Sequence, residues 1–355
     1  MKILVLPGDG IAPEITDATL TVLRAADPAF GLGLGFEFAD IGFAALENSG
    51  STCPETVLDA ARAADGVILG PISHLDYPPR DRGGVNVSAE FRVKLDLFAN
   101  VRPARTRAGL GSAHGDMDLV IMREATEGFY SDRNMVAGSG EFMPTEDIAL
   151  SLRKITARAC ERIARASFEL ARKRRRKVTA VHKANAMILT DGLFLREVRK
   201  VAADFPDVKL EEVIVDAMAA LLVRDPSRFD VICTTNFYGD ILSDLASELS
   251  GGLGLGGAIN AGPDLAAAQT QHGSAPDIAG QDKANPCSLI LSAAMLLDWL
   301  ADRYDNAACR NAAAAINAAI DASLADPATR TADLGGTLGT QAFAAAVAER
   351  LSKES

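Results

Sequence analysis

Short runs of branched apolar residues alternate with helix-patterned segments along most of this chain, and the alternation leaves few folds open. Residues 2–6 (KILVL), 35–38, 66–69 (GVIL), 118–122, 178–181, 210–215 and 229–233 read as strands. Helical patterns occupy 12–25, 54–62, 88–98, about 148–172, 192–205 and 217–223. Strands joined through helices form a parallel sheet covered on both faces, so an α/β architecture is expected. At 355 residues the chain exceeds one ordinary compact unit, and two domains are predicted.

The stretch 229–249, FDVICTTNFYGDILSDLASEL, carries the clearest chemical signal. A buried strand runs through a polar turn into a helix bearing Asp240 and Asp244, which at four residues apart share one helix face. Like charges so placed repel by a few tenths of a kcal/mol (~0.2–0.5), and a hard divalent cation would offset the repulsion. The plain alternative is an acidic helix start that suits the dipole.

Composition narrows the partners. A net charge of −11 and a pI near 5.0 argue against nucleic acid. No apolar run approaches the ~18 residues needed to cross a bilayer, and no membrane partner is expected. The cysteines Cys53, Cys160, Cys233, Cys287 and Cys309 are scattered and lack CxxC spacing, which fits a reducing compartment. With no signal peptide in MKILVLPGDG, a cytoplasmic location is expected. The basic run 172–177 (RKRRRK) is read as a solvated helix C-terminus.

Other segments break periodicity. The turn at 7–10 resembles a phosphate loop, but Pro13 stands where the dinucleotide fingerprint wants its third glycine. Residues 70–85, rich in Gly and Pro, are read as a ligand-contacting loop, and 124–146 as a protruding arm or hairpin holding Tyr130. Arg92, Arg102 and Arg123 lie at or near element ends, where guanidinium forks could hold carboxylates. Lys183 follows a strand, at the sheet edge where α/β proteins keep their chemistry. Residues 250–257 (SGGLGLGG) read as a crossing back to the first domain.

Seven blocks in order now carry a resemblance: GDGIAPE (8–14), RVKLDLFANVRPAR (92–105), REATEGFYSD (123–132), VHKAN (181–185), VDAM (215–218), NFYGDILSDLAS (236–247) and HGSAPDIAG (272–280). Together they resemble the β-decarboxylating dehydrogenases, which act on isopropylmalate, homoisocitrate, isocitrate and tartrate or malate. The resemblance implies a two-domain isopropylmalate/isocitrate dehydrogenase-like α/β fold without a conventional Rossmann dinucleotide-binding domain. It places 1–98 and 251–355 in a first, cofactor-side domain, and 99–250 in a second with the dimer interface and the arm (about 124–146). It also implies a homodimer with shared active sites.

By the same resemblance, the substrate is a 3-substituted malate whose carboxylates Arg92, Arg102 and Arg123 hold, with Asn86, Ser88 and Asn185 as further substrate contacts. Asp240 and Asp244, with Asp216 of the second subunit, would bind Mg²⁺ or Mn²⁺. Lys183 would take the hydroxyl proton and Tyr130 would return one after CO₂ is lost. His272, Gly273, Ser274, Ala275, Asp277, Ile278 and Asn285 would hold the cofactor. A carboxylate at Asp277 suits a ribose 2′-hydroxyl and repels a 2′-phosphate, which favours NAD⁺ over NADP⁺.

Two departures bear on the substrate, and two lesser ones follow, one of them in the cofactor loop. Ser88 and Ala89 stand where isopropylmalate enzymes carry a leucine pair. Asn86 and Ser88 occupy, in reversed order, the place of the Ser and Asn that hold a third carboxylate in isocitrate enzymes. Residues 269–271 are Gln-Thr-Gln where Glu-Pro normally precedes the histidine, and Ala12 replaces a glycine. A 3-isopropylmalate-type role ranks first as the commonest, then homoisocitrate or isocitrate, then tartrate or D-malate. The rival from another class, a catalytically silent regulatory subunit, is opposed by intact Lys183, Tyr130 and all three aspartates.

Overall fold

The computed structural model describes residues 1–110, 112 and 114–353. The chain forms two compact units, Met1–Leu95 with Arg107–Gly111 and Gly251–Ser355 in one, Asp96–Thr106 with Ser112–Ser250 in the other.

The first unit begins with β1 (Lys2–Leu6), α1 (Ala12–Phe30), β2 (Gly35–Phe38), α2 (Gly42–Ser49), α3 (Glu55–Arg62), β3 (Gly66–Leu69) and α4 (Val87–Lys94). Pro13 lies in the first turn of α1, where its missing N–H costs nothing, and so it starts a helix where the fingerprint wants a glycine. The chain then builds the second unit: β4 (Ala99–Arg105), β5 (Asp118–Glu124), β6 (Glu141–Thr145), β7 (Ile148–Ser151), α5 (Ala157–Arg172), β8 (Lys177–His182), α6 (Thr190–Ala202), β9 (Lys209–Ile214), α7 (Val215–Arg224), β10 (Val231–Thr234) and α8 (Asn236–Ser250). It returns to the first unit with β11 (Ile259–Ala261), β12 (Ala266–Gln269), α9 (Cys287–Tyr304), α10 (Ala307–Ala325) and α11 (Thr340–Lys353).

In the first unit the strands run in the order β2-β1-β3-β12-β11, with β12 parallel to β3 and β11 antiparallel to β12. The fourth strand comes from the far part of the chain, so the sheet is not the consecutive βαβαβ of a dinucleotide-binding domain. In the second unit the order is β4-β5-β10-β8-β9, parallel except for β4 against β5.

Alternation along β5 explains how both faces of the second sheet are covered. Val120 and Met122 point to a core with Ile163 and Phe168 of α5 and Phe194 and Val198 of α6. Leu119 and Ile121 point the other way, to Met218 and Leu222 of α7 and Leu242 and Ala246 of α8. A strand buried on both sides must be apolar throughout, hence the unbroken runs in the sequence.

Several element boundaries differ from the sequence reading. Ile148–Ser151 is a strand, paired with β6 in a two-stranded hairpin, and α5 starts only at Ala157 after Thr156 accepts a hydrogen bond from Ala159 N. The helix expected to reach residue 98 stops at Lys94, and residues 99–105 are a strand. The basic run closes α5 as expected: the helix ends at Arg172, Lys173 follows as its cap, most of the run is exposed, and Lys177 opens β8. Acidic neighbours pair with much of it: Arg172 with Asp207, Arg174 with Asp118 and Asp230, Lys177 with Glu211. All five cysteines are buried free thiols, and no helix among the described residues is long and apolar enough to cross a membrane.

Candidate active site

Strands β5, β8, β9 and β10 of the second unit run parallel, and the candidate groups follow their carboxyl ends, where open α/β sheets keep their ligands. Arg123 lies near the end of β5 opposite Thr234, and Lys183 directly follows β8. Asp216 is in the first turn of α7, directly after β9, and Asp240 and Asp244 ride on α8 after β10.

One cluster centres on Arg123, which is almost wholly buried. Its Nε and Nη2 donate to Asn236 Oδ1 at 2.9 and 2.6 Å, Nη2 donates to Tyr130 Oη at 2.9 Å, and Nη1 pairs with Asp240. The Tyr130 hydroxyl in turn donates to Asp240 Oδ2 at 2.8 Å. Burial, assisted by the Asp240 carboxylate, raises the pKa of this phenol, while Arg123 pulls it back. Asn236 is itself anchored through Nδ2 to the carbonyl of Glu127 at 2.8 Å.

Arg102 of β4 completes the cluster. Its Nη1 donates to Ser243 Oγ at 2.7 Å and Asp244 Oδ1 at 3.1 Å, and lies 3.5 Å from Asp240. Burial, and then the neighbouring Arg123 charge, push Arg102 down to about 10. Two arginines therefore offset the like-charge pair on α8, and Asp240 and Asp244 are not in the helix's first turn, so the dipole does not account for them.

A second cluster pairs Lys183 Nζ with Asp216 Oδ1 at 2.5 Å. The Lys183 amide donates to Asp191 Oδ2, a fully buried carboxylate that also pairs with Arg153 and accepts from Tyr238 Oη at 3.2 Å. The loop bearing the lysine is thus fixed by its backbone, leaving the side chain to its own task. Asn185 is exposed in the turn that follows.

The divalent ion fits this donor set in part. Asp240 and Asp244 keep 41% and 50% of their side chains exposed. Both Asp240 oxygens are engaged, by Arg123 and by Tyr130, but an ionised carboxylate has about four acceptor positions, so capacity for a cation remains. Burial and the adjacent Asp240 raise the Asp244 carboxyl pKa, a pressure that a cation would relieve. Among the described residues, however, no three His, Cys, Asp or Glu groups converge on one ion position. One chain supplies the α8 pair and, separately, Asp216.

In the first unit the cofactor candidates form a loop stitched to the turn after β1. Ile11 N donates to Ser274 O at 2.8 Å, and the Ser73 and Ser274 hydroxyls are 2.7 Å apart. Gly10 has φ +61°, and a β-carbon there would meet Ser274 O at 2.1 Å, so only glycine allows the approach. Asp9, which sequence reasoning passed over, accepts from Ser73 N and Phe43 N at 3.0 and 2.9 Å and from the Tyr77 hydroxyl. Ala275 takes a left-handed φ of +36° before the turn that carries Asp277 and Ile278. Nothing crowds Gly273, and Asp277 is exposed. Burial lowers the pKa of the His272 imidazole, whose Nδ1 lies 3.0 Å from Gly273 O. Asn285 donates to Asp333 at 2.9 Å and accepts from Cys287 N. An open loop on a rigid support, ending in a free carboxylate, fits an adenosine ribose.

Of the remaining candidates, Arg92 donates Nε to Asn260 Oδ1 at 2.9 Å, and Ser88 accepts from Gln269 Nε2 at 2.6 Å. The amide oxygen of Asn86 caps α4 through Ala89 N at 3.1 Å. Asn236, Ser243, Asp191, Asn260 and Gln269 were not proposed as site residues from sequence, because polar groups become partners only once strand order is known.

The isocitrate/isopropylmalate dehydrogenase profile matches residues 2–348. The chain belongs to that family. It is 42% identical over 352 residues to isocitrate/homoisocitrate dehydrogenase of Thermus thermophilus, covering 99% of this chain and 98% of the relative. It is 39% identical to 3-isopropylmalate dehydrogenase of Archaeoglobus fulgidus, covering 99% of each. The solved isocitrate dehydrogenase of Methylococcus capsulatus superposes with a TM-score of 0.88 at 38% identity, covering 99% of both chains. Members of the isocitrate/isopropylmalate dehydrogenase family are oxidatively decarboxylating dehydrogenases.

Proposed function

We propose that this chain catalyses the NAD⁺- and divalent-cation-dependent oxidative decarboxylation of a 3-substituted malate to a 2-keto acid, CO₂ and NADH. The observation that carries the reading is the meeting of two buried arginines, Arg102 and Arg123, with the Tyr130 hydroxyl and the half-exposed carboxylates of Asp240 and Asp244, which sets cations for substrate carboxylates beside a proton donor and oxygen ligands for a metal.

Arg102 and Arg123 orient substrate carboxylates. Asp240 and Asp244 of one subunit, with Asp216 of the partner subunit, would hold Mg²⁺ or Mn²⁺. When bound, the cation supplies positive charge for a developing oxyanion and NAD⁺ supplies the hydride acceptor. Lys183 of the partner subunit, which sits beside Asp216 in its own chain, accepts the proton of the 2-hydroxyl at Nζ as the carbinol is oxidised. After the carboxylate leaves as CO₂, Tyr130 Oη gives a proton to the carbon that bore it. Asp277 accepts from a ribose 2′-hydroxyl, which selects NAD⁺ over NADP⁺.

The test is NADH formation with Mn²⁺ across isopropylmalate, isocitrate, homoisocitrate, D-malate and tartrate. Turnover of at least one supports the reading. Silence across the panel would return the regulatory-subunit alternative, and higher kcat/KM with NADP⁺ would remove the cofactor assignment. Ranking by frequency alone puts isopropylmalate first, but the polar face at Ser88 favours a substrate with a polar third-carbon group.

A further inference from the structure

Lys183 stands where the backbone of β8 runs out of ladder partners. His182, opposite Ile214, is the last residue of β8 paired with β9, so the next amide must find its acceptor elsewhere. The Lys183 N–H donates to Asp191 Oδ2, and the Lys183 carbonyl accepts from Ala186 N and Met187 N at 2.9 and 2.8 Å. Both peptide groups beside the lysine Cα are therefore held, which sets the direction in which the side chain leaves the backbone. The carbonyl is held by its own turn, whereas the amide is held by a side chain from α6.

Asp191 is fully buried, and a carboxylate stays ionised in such a place only beside a cation. That cation comes from the link between β7 and α5: Arg153, with 5% of its side chain exposed, pairs through Nη1 with Asp191 Oδ1. The two carboxylate oxygens are thus divided, Oδ1 to Arg153 and Oδ2 to the Lys183 amide and, at 3.2 Å, the Tyr238 hydroxyl. Arg153 is itself pinned. Nη1 also donates to Thr190 Oγ1 at 3.1 Å, Nη2 donates to Thr235 Oγ1 at 3.0 Å, and the guanidinium lies 5.0 Å from the Tyr238 ring centre and 5.5 Å from that of Phe129. A fork anchored on both arms dictates where the carboxylate stands.

We infer that Arg153 is a positioning residue for proton transfer at Lys183. It keeps Asp191 ionised and in place, Asp191 holds the Lys183 amide, and Nζ is thereby delivered to the 2-hydroxyl of the substrate. The inference rests on the reading that Lys183 takes that proton. Arg153 and Asp191 act through the lysine backbone and not on the reacting atoms, so their loss slows the chemical step and leaves substrate binding largely alone.

The division of the two oxygens supplies the test. Asp191→Asn keeps the shape but leaves one oxygen for two donors on opposite sides. The guanidinium, as the charged donor, takes that oxygen and turns the NH₂ towards the Lys183 N–H, donor against donor. With NAD⁺, Mn²⁺ and the best substrate of the panel, Asp191→Asn is expected to lower kcat about 10- to 100-fold with KM within about threefold. Arg153→Met, which strips Asp191 of its cation, should lower kcat by a similar factor. In the double variant no guanidinium competes for the amide oxygen, which can face Lys183 again, so it should turn over at least about threefold faster than Asp191→Asn alone. Arg153→Met thus slows the parent and speeds the Asp191→Asn variant, a change of sign that lost packing cannot produce. A loss of kcat on adding Arg153→Met in both backgrounds overturns the inference, as does a kcat for Asp191→Asn within about threefold of the parent. If Arg153→Met does not fold by itself, Asp191→Asn and the double variant, which buries no lone carboxylate, decide the matter. A parent that forms NADH from no 3-substituted malate overturns the proposed function and the inference with it, whereas an active parent without the change of sign overturns the inference alone.

Discussion

Gly239 stands directly against Arg123: a β-carbon there would fall 2.6 Å from Arg123 Cγ and 2.7 Å from its Cβ. Ordinarily a helical Gly→Ala gains up to about 1 kcal/mol from propensity. Here the clash is with the root of a buried side chain on a central strand, which cannot swing aside. Gly239→Ala is therefore expected to lose about 1–3 kcal/mol in urea unfolding and to raise KM by displacing the guanidinium. Unchanged stability and KM would show that β5 and α8 are not packed this closely.

Tyr130 touches only part of the arginine-centred cluster, and Arg123 stays bonded to Asn236 and Asp240 without it. Tyr130→Phe should leave the fold within about 1.5 kcal/mol of the parent. It should lower kcat about 10²- to 10⁴-fold with KM little changed, if the phenol delivers the proton after CO₂ departs. Steady-state kinetics on the best substrate of the panel decide it, and a kcat within twofold of the parent removes Tyr130 from the mechanism.

Separation of Asp216 from the α8 pair leads to a mixing experiment. In the proposed homodimer with shared sites, Asp216→Asn and Asp244→Asn should each be inactive. When the two are unfolded and refolded together, half the dimers are mixed, and each of those rebuilds one intact site from the unmutated halves. Activity should return to about a quarter of the parent value, as two-fold symmetry requires. No recovery would mean that each chain builds its site alone.

Burial raises the Glu127 carboxyl to about 7, with help from the neighbouring Glu124 charge and opposition from the Thr156 amide. A pKa higher in the folded than in the unfolded state means that the native form holds its proton more tightly. The stabilisation from that proton is complete below about pH 4.5 and fades as pH climbs through about 7. Glu127→Gln should thus lose less melting temperature than the parent between pH 5 and 7.5, by about 2–4 °C. Parallel melting curves for the two proteins would count against the raised pKa.

Much of the second unit could be read from sequence because β5, β8 and β10 are buried on both faces, and such strands announce themselves as unbroken apolar runs. The hairpin at β6 and β7 defeats the same rule. Phe142, Met143, Ile148 and Leu150 are apolar yet exposed, so residues 148–151 looked like the start of a buried helix. The short helix α2 was missed because only Gly42 and Ala45 are buried in it, too few to set a period. At the candidate site the charged residue types stood out, but their partners did not. That Asp240 meets Arg102 and Arg123 depends on α8 packing beside β4 and β5, which no local pattern encodes. Gln269 was visible only as an unexpected residue before His272, and its hydrogen bonds to Asn260 and Ser88 follow from the pairing of β11 with β12, which no local pattern encodes.

The first unit is assembled from separated stretches: β3 lies between β1 and β12, and α1 packs along α11. On the ribosome, the segment through α4 therefore emerges without the strand and helices that cover it. The second unit, almost unbroken in sequence, can mature first while that earlier segment waits with apolar flanks bare. Such a nascent chain has good reason to lean on a chaperone for the interval between the two events.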